Sequence, residues 1–246
     1  MTAISSTPRR ALVTGASGGL GQAIAERLGR AGVHVFAHAN SRAAEAQAIA
    51  ERIVAAGGSA DAVVFDVTDR AATQAACEKM LIGGAIQIVV NNAGIHDDAA
   101  FPALREEQWQ RVIDVSVNGF FNVTQALVMP MIRTRWGRIV NLSSIASLTG
   151  NRGQVNYAAA KGAINSATKS LALELASRGI TVNAVAPGII DSGMAGAVFD
   201  AAVIDRLVPM KRAGRAEEVA ALVAFLASDD AGYISGQVVS INGAMI

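Results

Sequence analysis

The chain has 246 residues, 52% of them hydrophobic and 17% charged. That supplies apolar surface for a large core, which excludes intrinsic disorder, and the length fits one generous domain or two small ones. A net charge of +1 provides no basic field, so nucleic acid is not expected as a partner.

Met1–Pro8 are polar and lack the apolar stretch of a signal peptide, so residues 1–9 read as a short polar tail. From residue 10 onward, apolar β-branched runs alternate with amphipathic stretches. Ala11–Thr14 is followed by a helical pattern over Gly19–Arg30, Val33–Ala37 by Arg42–Ala56, and Ala62–Phe65 by Asp69–Leu81. Ile86–Asn91 precedes Glu106–Thr134, Arg138–Leu142 precedes Val155–Ser177, and Thr181–Ala186 precedes Ala216–Ala227. Val238–Ile241 closes the series. Apolar residues recur at helical spacing, as in Val219, Leu222, Val223 and Leu226. Gly57-Gly58, Gly83-Gly84 and Arg178-Gly179 mark turns between units. Alternation of this kind with nearly all-apolar strands predicts an α/β fold. It is a Rossmann-type, doubly wound, parallel seven-stranded sheet flanked by helices, in a single domain over residues 10–246.

Apolar runs such as Ala220–Ala227 are far shorter than the roughly 20 residues of a spanning helix, so no membrane is expected. One cysteine, Cys77, excludes an internal disulfide framework and suits the cytoplasm. His34, His38 and His96 lack metal-ligand spacing, so no metal is expected.

In a doubly wound sheet, ligands sit beyond the carboxyl ends of the strands. After the first run comes Thr14-Gly15-Ala16-Ser17-Gly18-Gly19-Leu20-Gly21. Glycines there let backbone approach a pyrophosphate, and the following helix supplies free N–H donors. Gly15, Ser17, Gly18 and Leu20 are therefore candidate dinucleotide contacts; the bland alternative is a tight strand-to-helix turn. The second run ends in Asn40-Ser41-Arg42 with no carboxylate to take a ribose 2′-hydroxyl. Asn40 and Ser41 can donate hydrogen bonds and Arg42 can offset a 2′-phosphate, which predicts NADPH over NADH. Asn40 and Ser41 could equally cap the next helix. Asp66 and Val67, after the third run, are placed to meet adenine, although Asp66 could instead cap the helix beginning near Asp69.

Tyr157 and Lys161 lie four apart and share a helix face. A neighbouring ammonium favours the phenolate, so Lys161 is expected to lower the pKa of Tyr157, a general acid for a carbonyl oxygen receiving hydride. Ser143 and Ser144 follow the fifth run, and Asn91-Asn92-Ala93-Gly94 ends the fourth. Asn118 is a polar residue among Val115, Val117, Phe120 and Phe121, explained either by function or by packing with its amide bonded to backbone.

Together these motifs resemble the short-chain dehydrogenase/reductase superfamily over nearly the whole chain. Thr14, Gly15, Gly19 and Gly21 fit its Thr-Gly-x3-Gly-x-Gly signature, Asn91–Gly94 its Asn-Asn-Ala-Gly, and Tyr157 with Lys161 its Tyr-x3-Lys. The resemblance implies a catalytic serine thirteen residues before the tyrosine, which selects Ser144, and a relay asparagine at Asn118 holding a water that links Lys161 to solvent. It implies cofactor contacts at Asn92, Ala93 and Gly94, and through Pro187, Gly188, Ile190 and Ser192. Within the superfamily, Arg138–Ser144, Gly150–Lys161, Ser177–Gly188 and Tyr233–Gln237 look most like 3-oxoacyl-[acyl-carrier-protein] reductases. That implies reduction of a 3-oxoacyl thioester, a homotetramer, and acyl carrier protein received at the site entrance by Arg135 and Arg178. Those arginines also read as ordinary helix-end residues.

Gly18 stands where such reductases often carry a basic residue, and Ala244 where a second glycine is common. The chain is closer in this to specialised polyene or polyketide reductases. Alternatives are a reductase of another small-molecule ketone, sugar or steroid, chosen by Ile190–Pro209, and a non-catalytic NADP-binding regulator.

Overall fold

Valine and isoleucine dominate the apolar runs, and every run forms or overlaps a strand in the computed structural model, which describes residues 8–191 and 200–246. The elements in chain order are β1 (Arg10–Val13), α1 (Gly19–Arg30), β2 (His34–Ala39), α2 (Ala43–Ala55), β3 (Ser59–Val64) and α3 (Arg70–Leu81). Then come β4 (Ile88–Asn91), α4 (Glu106–Ile113), α5 (Gly119–Thr134), β5 (Gly137–Leu142), α6 (Ala146–Thr149) and α7 (Val155–Leu175). The last are β6 (Ile180–Pro187), β7 (Ile190–Asp191), α8 (Ala201–Leu207), β8 (Gly214–Arg215), α9 (Ala216–Leu226) and β9 (Val238–Ile241).

Seven strands form one sheet in the order β3-β2-β1-β4-β5-β6-β9, and each neighbouring pair is parallel. The fold class read from the sequence is therefore the one observed. Side chains alternate across the sheet, so successive residues enter opposite layers. Val13, Val90 and Val140 pack with Ile24, Leu28, Val219 and Val223 of α1 and α9. Leu12, Val89 and Ile139 pack with Val123, Leu127 and Leu175 of α5 and α7. Arg9, the last residue of the supposed tail, is docked: its guanidinium pairs with Asp229 at 2.8 Å and lies over the Trp136 ring at 3.8 Å.

Besides the short helices α6 and α8, which no periodic stretch announced, two features depart from the sequence reading. The stretch Glu106–Thr134 is not one α-helix, because Asp114–Asn118 forms a π-helical turn between α4 and α5. The combined run is also long and apolar enough to span a bilayer by length and composition. Packing on the sheet accounts for one face of it, where Val112, Val123 and Leu127 are fully buried and Met131 nearly so, while Phe121 and Met129 stay exposed. The second departure is the short parallel pair β7·β8, which carried no periodic signal.

A buried polar chain crosses the second layer. Asn91 Nδ2 donates to Thr124 Oγ1 and Asn141 Oδ1, each at 2.9 Å, and Asn141 Nδ2 donates to Thr168 Oγ1 at 2.8 Å. It ties β4, β5, α5 and α7 behind the fourth and fifth strand ends. Asn141→Leu strands two buried partners and should cost about 2 to 3 kcal/mol. Equilibrium urea unfolding measures this, and an unchanged midpoint would contradict the role given to the chain.

Candidate active site

The strand order reverses between β1 and β4, so the loops after these strands diverge and open a crevice. Thr14 locks its floor. Its Oγ1 accepts from the backbone N–H groups of Asn92 and Ala93 at 2.9 Å each, while Asn92 Nδ2 donates to the carbonyls of Thr14 and Gly15 at 2.9 and 3.1 Å. Asn92 and Ala93 thus spend these groups on holding the glycine-rich turn. Gly15 has φ +63°, and a Cβ there would stand 3.0 Å from Ala93 Cα. At Gly21 a Cβ would overlap the Gly15 carbonyl and lie 2.6 Å from Asn92 Nδ2.

Helix α1 starts on Gly18 with neither a side-chain cap nor an acidic residue in its first turn. Its free N–H donors and positive dipole end therefore face the crevice unopposed. Ser17, Gly18 and Leu20 line this mouth, each partly exposed. The site fits the pyrophosphate of a dinucleotide.

Sequence reasoning missed His38. This fully buried ring accepts from Gly15 N–H through Nδ1 at 3.0 Å, and its Nε2 donates to the Phe65 carbonyl at 2.8 Å. Burial lowers its pKa to about 4, so the imidazole is neutral and fixed in one tautomer, bracing the turn against β2 and β3. Only a lone histidine in a strand signalled it.

Asn40, Ser41 and Arg42 are exposed at the end of β2. Helix α2 has no side-chain cap, so the capping alternative for Asn40 and Ser41 is set aside. Asp69, not Asp66, caps α3 by accepting from Ala72 N–H at 2.9 Å. Asp66 Oδ1 instead accepts from Thr68 N–H and Oγ1, each at 2.8 Å. The Val67 carbonyl accepts from Asn122 Nδ2 at 2.9 Å.

Beyond β5, Ser143 is buried and its Oγ contacts Ser147 Oγ at 3.0 Å. Ser144 is partly exposed, its Oγ accepts from Ala146 N–H at 3.2 Å, and it lies near enough to Tyr157 to lower the phenol's pKa. The α7 start is pinned by Asn156, whose Nδ2 donates to the Asp97 carbonyl at 2.9 Å and whose Oδ1 accepts from Tyr157 N–H at 2.8 Å. Lys161 is buried, and its Nζ donates to the Leu142 carbonyl at 2.7 Å and lies 5.7 Å from the Tyr157 ring centroid. Ser144, Tyr157 and Lys161 thus come together, with Lys161 Nζ beside Gly94.

Asn118 does not join them. Its side chain is exposed and donates to Asp114 Oδ1 at 2.6 Å. The π turn shifts the helical phase, so the buried polar side chain of this segment is Ser116. Arg135 and Arg178 do come together, with Arg135 Nη2 donating to the Ser177 carbonyl at 3.1 Å. They precede the first residues of β5 and β6, so they lie at the opposite end of the strands from Tyr157. The six residues of β5 separate the two ends by about 20 Å. Within one subunit they do not border the site entrance. Pro187 and Gly188 are tied to neighbouring loops, the proline carbonyl accepting from Ile145 N–H and Gly188 N–H donating to Ile241, each at 2.9 Å. Ile190 is half-buried in β7, and Ser192 lies outside the described residues. Among the described residues no cluster of metal-ligating side chains occurs.

The profile of the short chain dehydrogenase family matches residues 9–202. The chain belongs to that family. It is 45% identical to the 3-oxoacyl-[acyl-carrier-protein] reductase FabG of Aggregatibacter actinomycetemcomitans over 236 residues, covering 95% of this chain and 98% of the relative. It is 43% identical to the reductase of that name from Escherichia coli K12 over 238 residues, 96% of each chain, and 42% identical to that of Staphylococcus aureus N315 over 240 residues, 96% and 98%.

This short-chain dehydrogenase is an oxidoreductase acting between C=O and CH–OH, with a nicotinamide cofactor. One electrostatic expectation is reversed. Burial raises the pKa of Tyr157, Ser144 lowers it less, and Asp98 adds to the rise. Burial also lowers the pKa of Lys161, to about 8. The phenol therefore keeps its proton at neutral pH, as a donor to a reduced carbonyl requires.

Two measurements bear on the site. Gly21→Ala should weaken dinucleotide binding about tenfold or more by displacing the turn; fluorescence titration reading wild-type affinity would refute the cradle. Reduction should proceed at constant rate below the Lys161 value of about 8 and fall at higher pH, with oxidation of the alcohol rising instead. A pH–rate profile with no alkaline limb would remove Lys161 from the proton path.

Proposed function

We propose that the protein is an NADPH-dependent 3-oxoacyl-[acyl-carrier-protein] reductase. The observation that carries the reading is the convergence of Ser144, Tyr157 and Lys161 beside an uncapped, glycine-cradled helix start. The named activity of relatives above 40% identity over almost their full length supports the substrate class.

When bound, the cofactor supplies hydride to the C3 carbonyl carbon. The chain's own residues do the rest. The Ser144 hydroxyl donates to the carbonyl oxygen and orients it. Tyr157 gives its phenolic proton to that oxygen as negative charge develops there, and Lys161 stabilises the phenolate left behind. Gly15, Ser17, Gly18 and Leu20 would hold the pyrophosphate, and Asp66 with Val67 the adenine. Gly94, Pro187, Gly188, Ile190 and Ser192 would position the nicotinamide end, with Asn92 and Ala93 supporting the cradle. The preference for NADPH rests on Asn40, Ser41 and Arg42, which are exposed beside the place of a ribose 2′-phosphate without a competing carboxylate; Gly18 contributes no charge.

Arg135 and Arg178 lie at the far edge of their own sheet, so a docking role for them requires a homotetramer in which one subunit's arginines approach a neighbour's site. A cytoplasmic setting suits the single buried Cys77.

The test is cofactor oxidation with acetoacetyl thioesters. Carrier-bound substrate should exceed the coenzyme A thioester and a free ketone in kcat/KM, and NADPH should exceed NADH. Tyr157→Phe should lose at least about a hundredfold in turnover while still binding cofactor. Charge reversal at Arg135 and Arg178 should raise KM for the carrier-bound substrate alone. Preference for the free ketone, or for NADH, would overturn the assignment.

A further inference from the structure

The loop after β4 holds a run of linked polar side chains outside the catalytic trio. The side chain of His96 is 71% exposed, yet it is tethered. Its Nδ1 lies 3.2 Å from Asp98 Oδ1, and because an ionised carboxylate only accepts, Nδ1 carries the hydrogen. The other oxygen, Asp98 Oδ2, accepts from Gln154 Nε2 at 2.8 Å, and Gln154 Oε1 accepts from Asn151 Nδ2 at 2.8 Å. Backbone joins the same two loops, with Ala99 N–H donating to the Gly153 carbonyl at 2.9 Å. The imidazole meets the Tyr157 ring edge to face, centroids 6.4 Å apart and planes at 79°. An exposed imidazole fixed in this way beside the proton donor presents one group outward. With hydrogen on Nδ1, the neutral ring keeps a lone pair on Nε2 and accepts there.

A 3-oxoacyl thioester whose ketone reaches Tyr157 leaves its thiol arm in the mouth of the site. On a carrier protein or coenzyme A that arm is pantetheine. Its first polar group beyond the sulfur is an amide N–H, six bonds from the reacting carbonyl carbon. Six bonds extend about 7 Å, enough to cover the separation between the Tyr157 and His96 rings. The arm brings a donor, and His96 offers an acceptor. We propose that His96 Nε2 accepts from this amide N–H and so recognises the pantetheine arm. The inference rests on the reductase reading. His96 is then a specificity-determining residue, and Asp98 a positioning residue that sets its tautomer and ring orientation.

The experiment follows NADPH oxidation with two small substrates. One is the N-acetylcysteamine thioester of acetoacetate; the other is the 2-acetoxyethyl thioester, in which an ester oxygen replaces the amide N–H. In the wild type, one neutral hydrogen bond should favour the amide substrate about fivefold in kcat/KM. His96→Phe keeps a ring against Tyr157 but has no acceptor, so this ratio should fall to about one. In His96→Gln, whose side-chain carbonyl accepts, most of the preference should return. Carrier-bound and coenzyme A thioesters share the amide, so His96→Phe should lower kcat/KM for both. A loss confined to the carrier-bound substrate would place His96 against the carrier protein itself and overturn the proposal. Equal kcat/KM for the two small thioesters in the wild type, or an unchanged ratio in His96→Phe, would also overturn it and leave the reductase reading standing. No oxidation of NADPH with the small thioesters or with carrier-bound substrate would overturn both.

Discussion

The site depends on a lysine ammonium taken out of water. Lys161 is buried on α7, with one backbone carbonyl, that of Leu142 at the end of β5, as its hydrogen-bonded anchor. Desolvation brings its pKa down to about 8, so near neutral pH it sits close to exchanging its proton. A lysine in water would remain fully charged and far less responsive. That cost is tolerable because the surrounding groups are small or polar: Gly94, Ser116 and the loop carrying Ser143 and Ser144.

The same burial acts with opposite consequence on Tyr157. Enclosure favours the neutral phenol, and Ser144 moderates rather than reverses this. The pair therefore holds two protonated groups side by side, which suits reduction of a carbonyl rather than oxidation of an alcohol. Nearby, His38 is a third buried titratable group with a mechanical task. Held neutral, it accepts from Gly15 N–H and donates to Phe65, so the turn that faces the pyrophosphate is braced through the neighbouring strands.

The parallel sheet explains why these features share one place. Every strand enters from the same side, so the loops after β1, β4, β5 and β6 gather at one edge. By the same logic Arg135 and Arg178, which lie before β5 and β6, gather at the other. Any role for them at a reacting centre belongs to an assembly of subunits, because the length of a strand cannot be bridged by an arginine side chain within one.

Read alone, the sequence determined the alternation of strand and helix, the parallel sheet, the glycine-rich turn and the trio Ser144, Tyr157 and Lys161. Periodicity carries the elements and a four-residue spacing the Tyr157–Lys161 pair, because over such distances neighbours in the chain are neighbours in space, whereas Ser144 came from the family resemblance. Tertiary structure decided the rest. One extra residue in a helical turn rotates the downstream side chains by about 100°, so Ser116 faces inward and Asn118 outward, and no local pattern announced the π turn. The work of His38 depends on partners 23 and 27 residues away. The raised pKa of Tyr157 depends on how much protein encloses it. Burial and phase along a helix are properties of packing, and packing exists only once the chain has folded.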